Sequence, residues 1–318
     1  MGEFELIRRY FAAAPCARGG PGVALGIGDD CALLALAPGE QLAVSTDTLT
    51  AGVHFPDPCP HAFELGQRAL AVSASDLAAM GAAPLGFTLA LTLPSVEPAW
   101  LEDLARGLGA MAEQCDLRLV GGDTTRGPLS LTLTVFGRVP VGQALLRSGA
   151  RPGDLLCLGG APGEAGGALP FVLGQRAPTG SSSEHLLARY WAPEPQFGLG
   201  LWLRGRATAA QDVSDGLVAD CGHIATASGV RLVLEAARLP ISSALAELFP
   251  ADEVLRLALG AGDDYLLVFT LPPEQAPALA AAWPEARVIG RVETGSGVQV
   301  RDAQGQLLTA VQAGFQHF

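Results

Sequence analysis

Aspartate is unevenly spread along the 318-residue chain. It gathers in short Gly/Ser/Thr-rich stretches: Gly28-Asp29-Asp30, Ser45-Thr46-Asp47-Thr48, Ser75-Asp76, Gly121-Gly122-Asp123-Thr124-Thr125, Asp212-Val213-Ser214-Asp215 and Gly262-Asp263-Asp264. Several follow an apolar run or precede a helical pattern. That puts short, rigid carboxylates at strand ends, where α/β folds build sites. Carboxylates brought together raise one another's pKa and cannot all stay ionised without cations. Magnesium meets that need, because it takes a few carboxylates, keeps waters and accepts phosphate oxygens. Ser45 and Thr46 could add hydroxyl or carbonyl ligands, and manganese would suit the same donors. Taken singly, each stretch also reads as an N-cap or a turn former. Their number in one chain favours a shared metal–phosphate site.

Glycine-rich turns offer backbone N–H groups to phosphate. The candidates are Gly121-Gly122, after an apolar run, and the Gly159 to Gly167 stretch, which follows a strand pattern and could open a helix; tight turns explain such runs equally well. The chain contains no lysine: all 20 basic residues are arginine. A Walker A loop, a protein-kinase strand lysine and a Schiff-base lysine are therefore excluded. Phosphate charge must be met by metal, arginine and helix N-termini. Arg147 is the arginine of choice, with a surface salt bridge as its plainer reading. His54, seven residues after Asp47, could hydrogen-bond a substrate or act as an acid or base, or it could be a structural loop histidine. Phe315 and Phe318 read as packing residues, although a terminal aromatic could also stack on a ring.

The elements that must position these residues alternate between helix and strand. An amphipathic helix is expected around Phe4, Ile7, Tyr10 and Phe11. Strands are expected over 41–46, 85–93, 117–120 and 129–138. Helices are expected over 62–80 and after Pro98. Pro140, Gly142, Gly149, Pro152 and Gly153 mark a domain boundary, giving domains 1–140 and 141–318. The second half reads as strands 154–158, 208–212, 230–235, 264–270 and 286–292 with helices 216–228, 243–258 and 273–283. Residues 176–184 read as a surface loop. Gly26–Asp30 is echoed by Gly260–Asp264, and Ser75-Asp76, read as opening a helix, by Ser214-Asp215. These echoes either mark related α/β halves or arise by chance among 40 glycines.

Apolar residues make up 49% of the chain and charged residues 16%, the profile of a folded globular protein. A net charge of −12 argues against nucleic-acid or anionic-membrane binding. No pair of the six cysteines is spaced C-x-x-C, so reduced core cysteines in a cytoplasmic protein are expected. No apolar run is long enough for a membrane span.

In order along the chain, these motifs resemble the thiamine-monophosphate kinases, within the superfamily of aminoimidazole ribonucleotide synthetase, selenophosphate synthetase and a hydrogenase-maturation enzyme. The resemblance is carried by Glu3-Phe4-Glu5-Leu6-Ile7, Gly26-Ile27-Gly28-Asp29-Asp30-Cys31-Ala32, Ser45-Thr46-Asp47-Thr48 with His54-Phe55, and Ser75-Asp76-Leu77-Ala78-Ala79-Met80-Gly81-Ala82. It continues through Val120-Gly121-Gly122-Asp123-Thr124-Thr125, Arg147-Ser148-Gly149-Ala150, Asp212-Val213-Ser214-Asp215-Gly216-Leu217 and Gly262-Asp263-Asp264-Tyr265. It implies an α/β (α+β) fold of two domains: an N-terminal ferredoxin-like domain that pairs with its copy in a homodimer, and a C-terminal α+β domain, with ATP in the groove between them. It implies ATP-dependent phosphorylation of thiamine monophosphate to thiamine diphosphate. Asp30, Ser45, Thr46, Asp47, Asp76, Asp123, Asp212 and Asp215 would hold several Mg2+ ions. Gly122, Asp123, Arg147 and Ser214 would contact ATP, and His54, Asp263 and Phe315 would face thiamine monophosphate. The family usually has Glu at the position of Asp263 and often Trp at that of Phe315. Near Arg106, where an adenine-side aromatic is expected, the chain has arginine. The alternatives are another ATP-using enzyme of the superfamily and a non-catalytic nucleotide-binding regulator. Selenophosphate synthetase fits poorly, since it would typically carry a lysine near its N-terminus.

Overall fold

In a computed structural model, residues 2–308 are described. The chain divides into two compact units. One runs up to Leu77 and adds Ala82–Gly142; the other is Ala78–Gly81 with the chain from Gln143 onward.

The first unit begins with a short helix, α1 (Glu3–Leu6), that continues as a π-helical stretch over Ile7–Ala12. Two short strands, β1 (Val23–Leu25) and β2 (Leu33–Leu34), pair with each other. The body of the unit is a four-stranded sheet in the order β3-β6-β4-β5. Its strands are β3 (Glu40–Thr50), β4 (Ala83–Leu93), β5 (Arg118–Arg126) and β6 (Ser130–Pro140). Helix α2 (Ala62–Ala79) follows β3, and α3 (Pro98–Gln114) joins β4 to β5. β6 runs antiparallel to both β3 and β4, so β3–α2–β4 is a split βαβ unit of the ferredoxin-like kind.

β6 alternates strictly, with Leu131, Leu133 and Val135 buried and their neighbours part-exposed. The buried residues of β6 thus share one face, as a sheet covered on one side requires. The other face carries Leu42 and Val44, 44% and 55% exposed, beside threonine pairs Thr46–Thr134 and Thr48–Thr132.

α2 and α3 meet through glycine. A Cβ at Gly66 would lie 2.4 Å from the Leu104 carbonyl oxygen, and one at Gly107 would lie 1.8 Å from the Phe63 carbonyl oxygen. The neighbouring atoms are backbone, so no rotamer change relieves the clash.

The second unit is a six-stranded sheet in the order β12-β9-β11-β7-β10-β8. The strands are β7 (Leu155–Leu158), β8 (Ala209–Asp212), β9 (Arg231–Glu235), β10 (Leu267–Leu271), β11 (Arg287–Glu293) and β12 (Gly297–Arg301). The helices are α4 (Glu164–Val172), α5 (Gly180–Trp191), α6 (Phe197–Leu203), α7 (Leu217–Ser228), α8 (Ser243–Leu248), α9 (Ala251–Gly260) and α10 (Ala276–Ala282). Both sheet faces are covered. Leu156, Leu158, Leu232 and Val268 share a cluster with Leu217, Ile224 and Ala258, whereas Cys157, Ala210 and Phe269 share one with Leu199, Leu203 and Leu279.

Several expectations are corrected. β3 continues past residue 46 to Thr50, because its whole length is in register with β6. Asp47 therefore sits within a strand and not in a turn. β5 likewise runs through Gly121-Gly122-Asp123, paired in parallel with Thr88-Leu89-Ala90. Ser75-Asp76 lies near the end of α2 and opens no helix, because the apolar pattern from Ala62 carries through it. The expected helix 243–258 is two helices separated at Pro250, and residues 180–184 belong to α5.

Gly107→Ala is expected to destabilise the protein by about 2 kcal/mol or more. Gly109→Ala, on the same helix with nothing within 4 Å of the added carbon, should stabilise it by about 0.5–1 kcal/mol. Urea unfolding midpoints of the two variants check the contrast.

Candidate active site

The first group of site residues is built by the pleat of β3 and the last turns of α2. Residues alternate across a strand, so Ser45 and Asp47 share one face. There the Ser45 hydroxyl donates to Asp76 Oδ2 from α2. Asp47 is half-buried. Burial, and then the charge of Asp76, push its carboxyl up to about 6, against a hydrogen bond from the Ser73 hydroxyl. Two carboxylates of like charge thus face each other beside two hydroxyls, a hard-oxygen donor set suited to a divalent cation.

Thr46 points to the other face, where its hydroxyl pairs with that of Thr134 at 2.9 Å. Its side chain cannot join Ser45 and Asp47, so any contribution falls to its main chain. Asp30 is exposed between β1 and β2, and its N–H donates to the Asp29 side chain at 2.9 Å. Asp123 is exposed on the edge strand β5, directly after Gly122. Gly122 has φ +153°, and a Cβ there would meet the Leu89 carbonyl oxygen at 2.0 Å. The glycine pair therefore lies in a strand, where it permits close pairing with β4, and not in the expected turn.

His54 is half-buried just after β3, and its Nδ1 accepts the Thr50 N–H at 3.0 Å. That bond fixes the tautomer: the proton of the neutral ring is on Nε2, so the side chain presents a donor there.

The second unit holds another group. Asp212, 5% exposed, ends β8. Ser214 and Asp215 follow in the turn that leads into α7. Asp220, one turn into α7, holds that turn: its carboxylate accepts the N–H groups of Asp215 and Gly216, each at 3.1 Å, and Gln211 Nε2 at 2.8 Å. Burial is the main reason its carboxyl is pushed up to about 6. Ligand atoms of Asp215, Asp220 and His223 lie within 4.8 Å of one another. Sequence reasoning missed Asp220 and His223, although the i, i+3 spacing places them on one helix face.

The Asp263 turn is bonded to the Ser214 turn. Asp263 N–H donates to the Ser214 carbonyl and Tyr265 N–H to that of Val213, both at 2.8 Å. Asp263 and Tyr265 adopt left-handed conformations, φ +68° and +51°, and the Tyr265 hydroxyl donates to Asp263 Oδ1 at 3.1 Å. Aspartate tolerates this backbone region better than most residues, which accounts for a short carboxylate at this position. Between them, Asp264 is buried and accepts the N–H groups of Gly163 at 2.6 Å and Ala165 at 3.4 Å. The protein's own carboxylate thus occupies the start of α4, so the Gly159–Gly167 stretch is not an open phosphate cradle. Arg147 lies exposed on a loop, Arg106 pairs with Asp103 at 2.6 Å, and Phe315 lies outside the described residues.

Burial is the main cause that raises Asp264 from 3.8 to about 7. Between those values the folded chain holds a proton that the unfolded chain has lost. This group's contribution to stability is therefore full below about pH 4 and is lost as pH rises to about 7. Asp264→Asn is expected to flatten that dependence: between about pH 5 and pH 8 its melting temperature should fall less than that of the parent.

Comparison with known proteins assigns the chain. Residues 28–139 match the AIR synthase related protein N-terminal domain, and residues 151–303 the corresponding C-terminal domain. The thiamine-monophosphate kinase of Escherichia coli K12 is 47% identical over 88% of this chain and 86% of that protein. The crystal structure of thiamine-monophosphate kinase from Stenotrophomonas maltophilia K279a superposes with a TM-score of 0.87 at 45% identity, covering 97% of this chain and 98% of that one. AaThiL complexed with AMPPCP and TMP superposes with a TM-score of 0.79 at 28% identity over 89% of each chain. With this identity maintained over nearly its full length, the chain belongs to the thiamine-monophosphate kinase family.

Proposed function

We propose that this protein transfers the γ-phosphoryl group of ATP to thiamine monophosphate, giving thiamine diphosphate and ADP. Within a family of that activity, the observation that carries the reading is the Ser45, Asp47 and Asp76 group. Two facing carboxylates, with the pKa of Asp47 raised by burial and by Asp76, are what a phosphate–metal site needs and what a passive fold avoids.

The acceptor is a phosphate oxygen of thiamine monophosphate. It is already anionic near neutral pH, so no strong general base is required and none is assigned. Its oxygen forms a bond to the γ-phosphorus as the bond from that phosphorus to the β-phosphate oxygen breaks, and ADP leaves with the electron pair. The main obstacle is repulsion between two phosphate groups. Asp30, Ser45, Asp47, Asp76, Asp123, Asp212, Asp215 and the main chain of Thr46 would hold Mg2+. When bound, the metal supplies the charge neutralisation that lets the phosphates approach. Arg147 adds a permanent positive charge, and Gly122, Asp123 and Ser214 line the nucleotide. His54, through Nε2–H, and Asp263 orient thiamine monophosphate, with Phe315 as the proposed stacking residue. The reaction is assigned to the cytoplasm, where ATP is supplied. Among the described residues no helix is long and apolar enough to cross a membrane.

A second copy of the chain is the proposed partner of the first unit. The support is the uncovered sheet face with Leu42 and Val44 exposed on an eleven-residue edge strand. Leu42→Glu with Val44→Glu is expected to shift the mass measured by light scattering from dimer to monomer. A monomeric parent protein would overturn the dimer.

The function is tested by mass spectrometry of protein mixed with thiamine monophosphate, ATP and Mg2+. Equal amounts of thiamine diphosphate and ADP are expected; ATP hydrolysis with thiamine monophosphate unchanged would refute the reading. Asp47→Asn and Asp123→Asn should each abolish turnover, and near-normal activity in both would refute the multi-metal site.

A further inference from the structure

Arg147 sits in an irregular loop between Gly142 and Leu155, yet the backbone of that loop is closely tied down. On its N-terminal side, Leu145 N–H donates to the Met80 carbonyl at 3.0 Å, and the Leu146 carbonyl accepts Ala210 N–H at 2.9 Å. On its C-terminal side, one hydroxyl makes three bonds. Ser228 Oγ accepts the N–H groups of Gly149 at 3.1 Å and Ala150 at 3.2 Å, and donates to the Arg147 carbonyl at 3.1 Å. One donor and two acceptor sites are the full capacity of a serine hydroxyl.

Both partners of this clamp are built for it. Ser228 is the last residue of α7, and Gly229, at φ +67°, closes the helix behind it with bonds back to Ala225 and Thr226. The hydroxyl is therefore carried by a fixed helix end and not by a mobile loop. On the other side, Gly149 has φ +119°, and a Cβ there would lie 2.4 Å from the Thr208 carbonyl oxygen. Only glycine fits the bend that turns both N–H groups toward Ser228. The result is a rigid backbone under an exposed arginine side chain.

We propose that Ser228 is a positioning residue for the nucleotide: it acts through Arg147, fixing the backbone from which the guanidinium reaches the ATP phosphates. This rests on the reading of Arg147 as a nucleotide contact. A long, exposed side chain has substantial rotamer freedom, so its effective concentration at a phosphate depends on how firmly its Cα is held. Without the hydroxyl, Gly149 and Ala150 lose a shared acceptor and the Arg147 carbonyl its donor; the next ties on that side are Arg151 N–H to Asp154 Oδ2 at 2.9 Å and Gly153 N–H to the Val292 carbonyl at 3.0 Å, four and six residues beyond Arg147.

The test is a double-mutant cycle on the full chain, with steady-state kinetics in both substrates and direct titration with a fluorescent ATP analogue. Ser228→Ala is expected to raise the KM for ATP and weaken analogue binding by about fivefold. The KM for thiamine monophosphate, the kcat at saturating ATP and the melting temperature should change little. Ser228→Thr keeps the hydroxyl and should restore the KM for ATP. In an Arg147→Ala background, Ser228→Ala should add nothing. A rise in both KM values together with a loss of melting temperature would make Ser228 a general structural residue and overturn the proposal. So would an undiminished effect in the Arg147→Ala background. An Arg147→Ala variant with an unchanged KM for ATP would refute the reading of Arg147 itself. Ser228→Ala with no effect, beside an impaired Arg147→Ala, would overturn the positioning role alone.

Discussion

Two carboxylates of like charge, Asp47 on β3 and Asp76 on α2, stand close enough that one raises the pKa of the other. Left to itself such a pair would separate. It persists because each partner is fixed by something stronger than the repulsion. Asp47 is fixed by eleven residues of antiparallel register with β6. Asp76 is fixed by a helix whose crossing with α3 leaves no room for a single Cβ at Gly66 or Gly107. The Ser45 hydroxyl then ties the two elements together at the site. Much of the architecture of the first unit can be understood as the means of holding this unfavourable pair, which the cation proposed above would make favourable.

The second unit uses carboxylates differently. Asp220 and Asp264 are buried and spend their oxygens on backbone N–H groups, one at the turn into α7 and the other at the start of α4. They shape the loops that carry Ser214, Asp215 and Asp263. Acidic residues thus fall into two kinds: those that offer oxygens outward and those that act as internal caps. Their sequence contexts are similar, and neighbours in one motif, Asp263 and Asp264, take opposite roles.

This bears on what the sequence could reveal. The alternation of β6 and the apolar periodicity of α2 were plain, because each follows from a face that must be buried. The aspartate stretches stood out as well, since so many are hard to explain as caps alone. The limits of the strands were not. Glycine, threonine and aspartate in Gly121–Thr125 and Ser45–Thr48 read as turn chemistry, and only the neighbouring strand shows that they continue a ladder. Nor could the sequence separate Thr46 from Ser45 in role, since that depends on the pleat. Ser228 carried no signal of its own, and Asp220 only its i, i+3 spacing to His223. Each matters for the backbone it reaches, and serine or aspartate in a helix is otherwise unremarkable.

The α2–α3 crossing sets an evolutionary boundary. Surface positions on both helices can drift freely, and a core leucine can be exchanged for a neighbour of similar volume. Gly66 and Gly107 have no such latitude, because what they touch is main chain. A side chain at either could be accommodated only by moving the helices apart, which would carry Asp76 away from Ser45 and Asp47. With the site where we propose it, selection on the chemistry reaches two residues that touch none of the reacting groups, and a lineage that lost the activity would be free to lose those glycines as well.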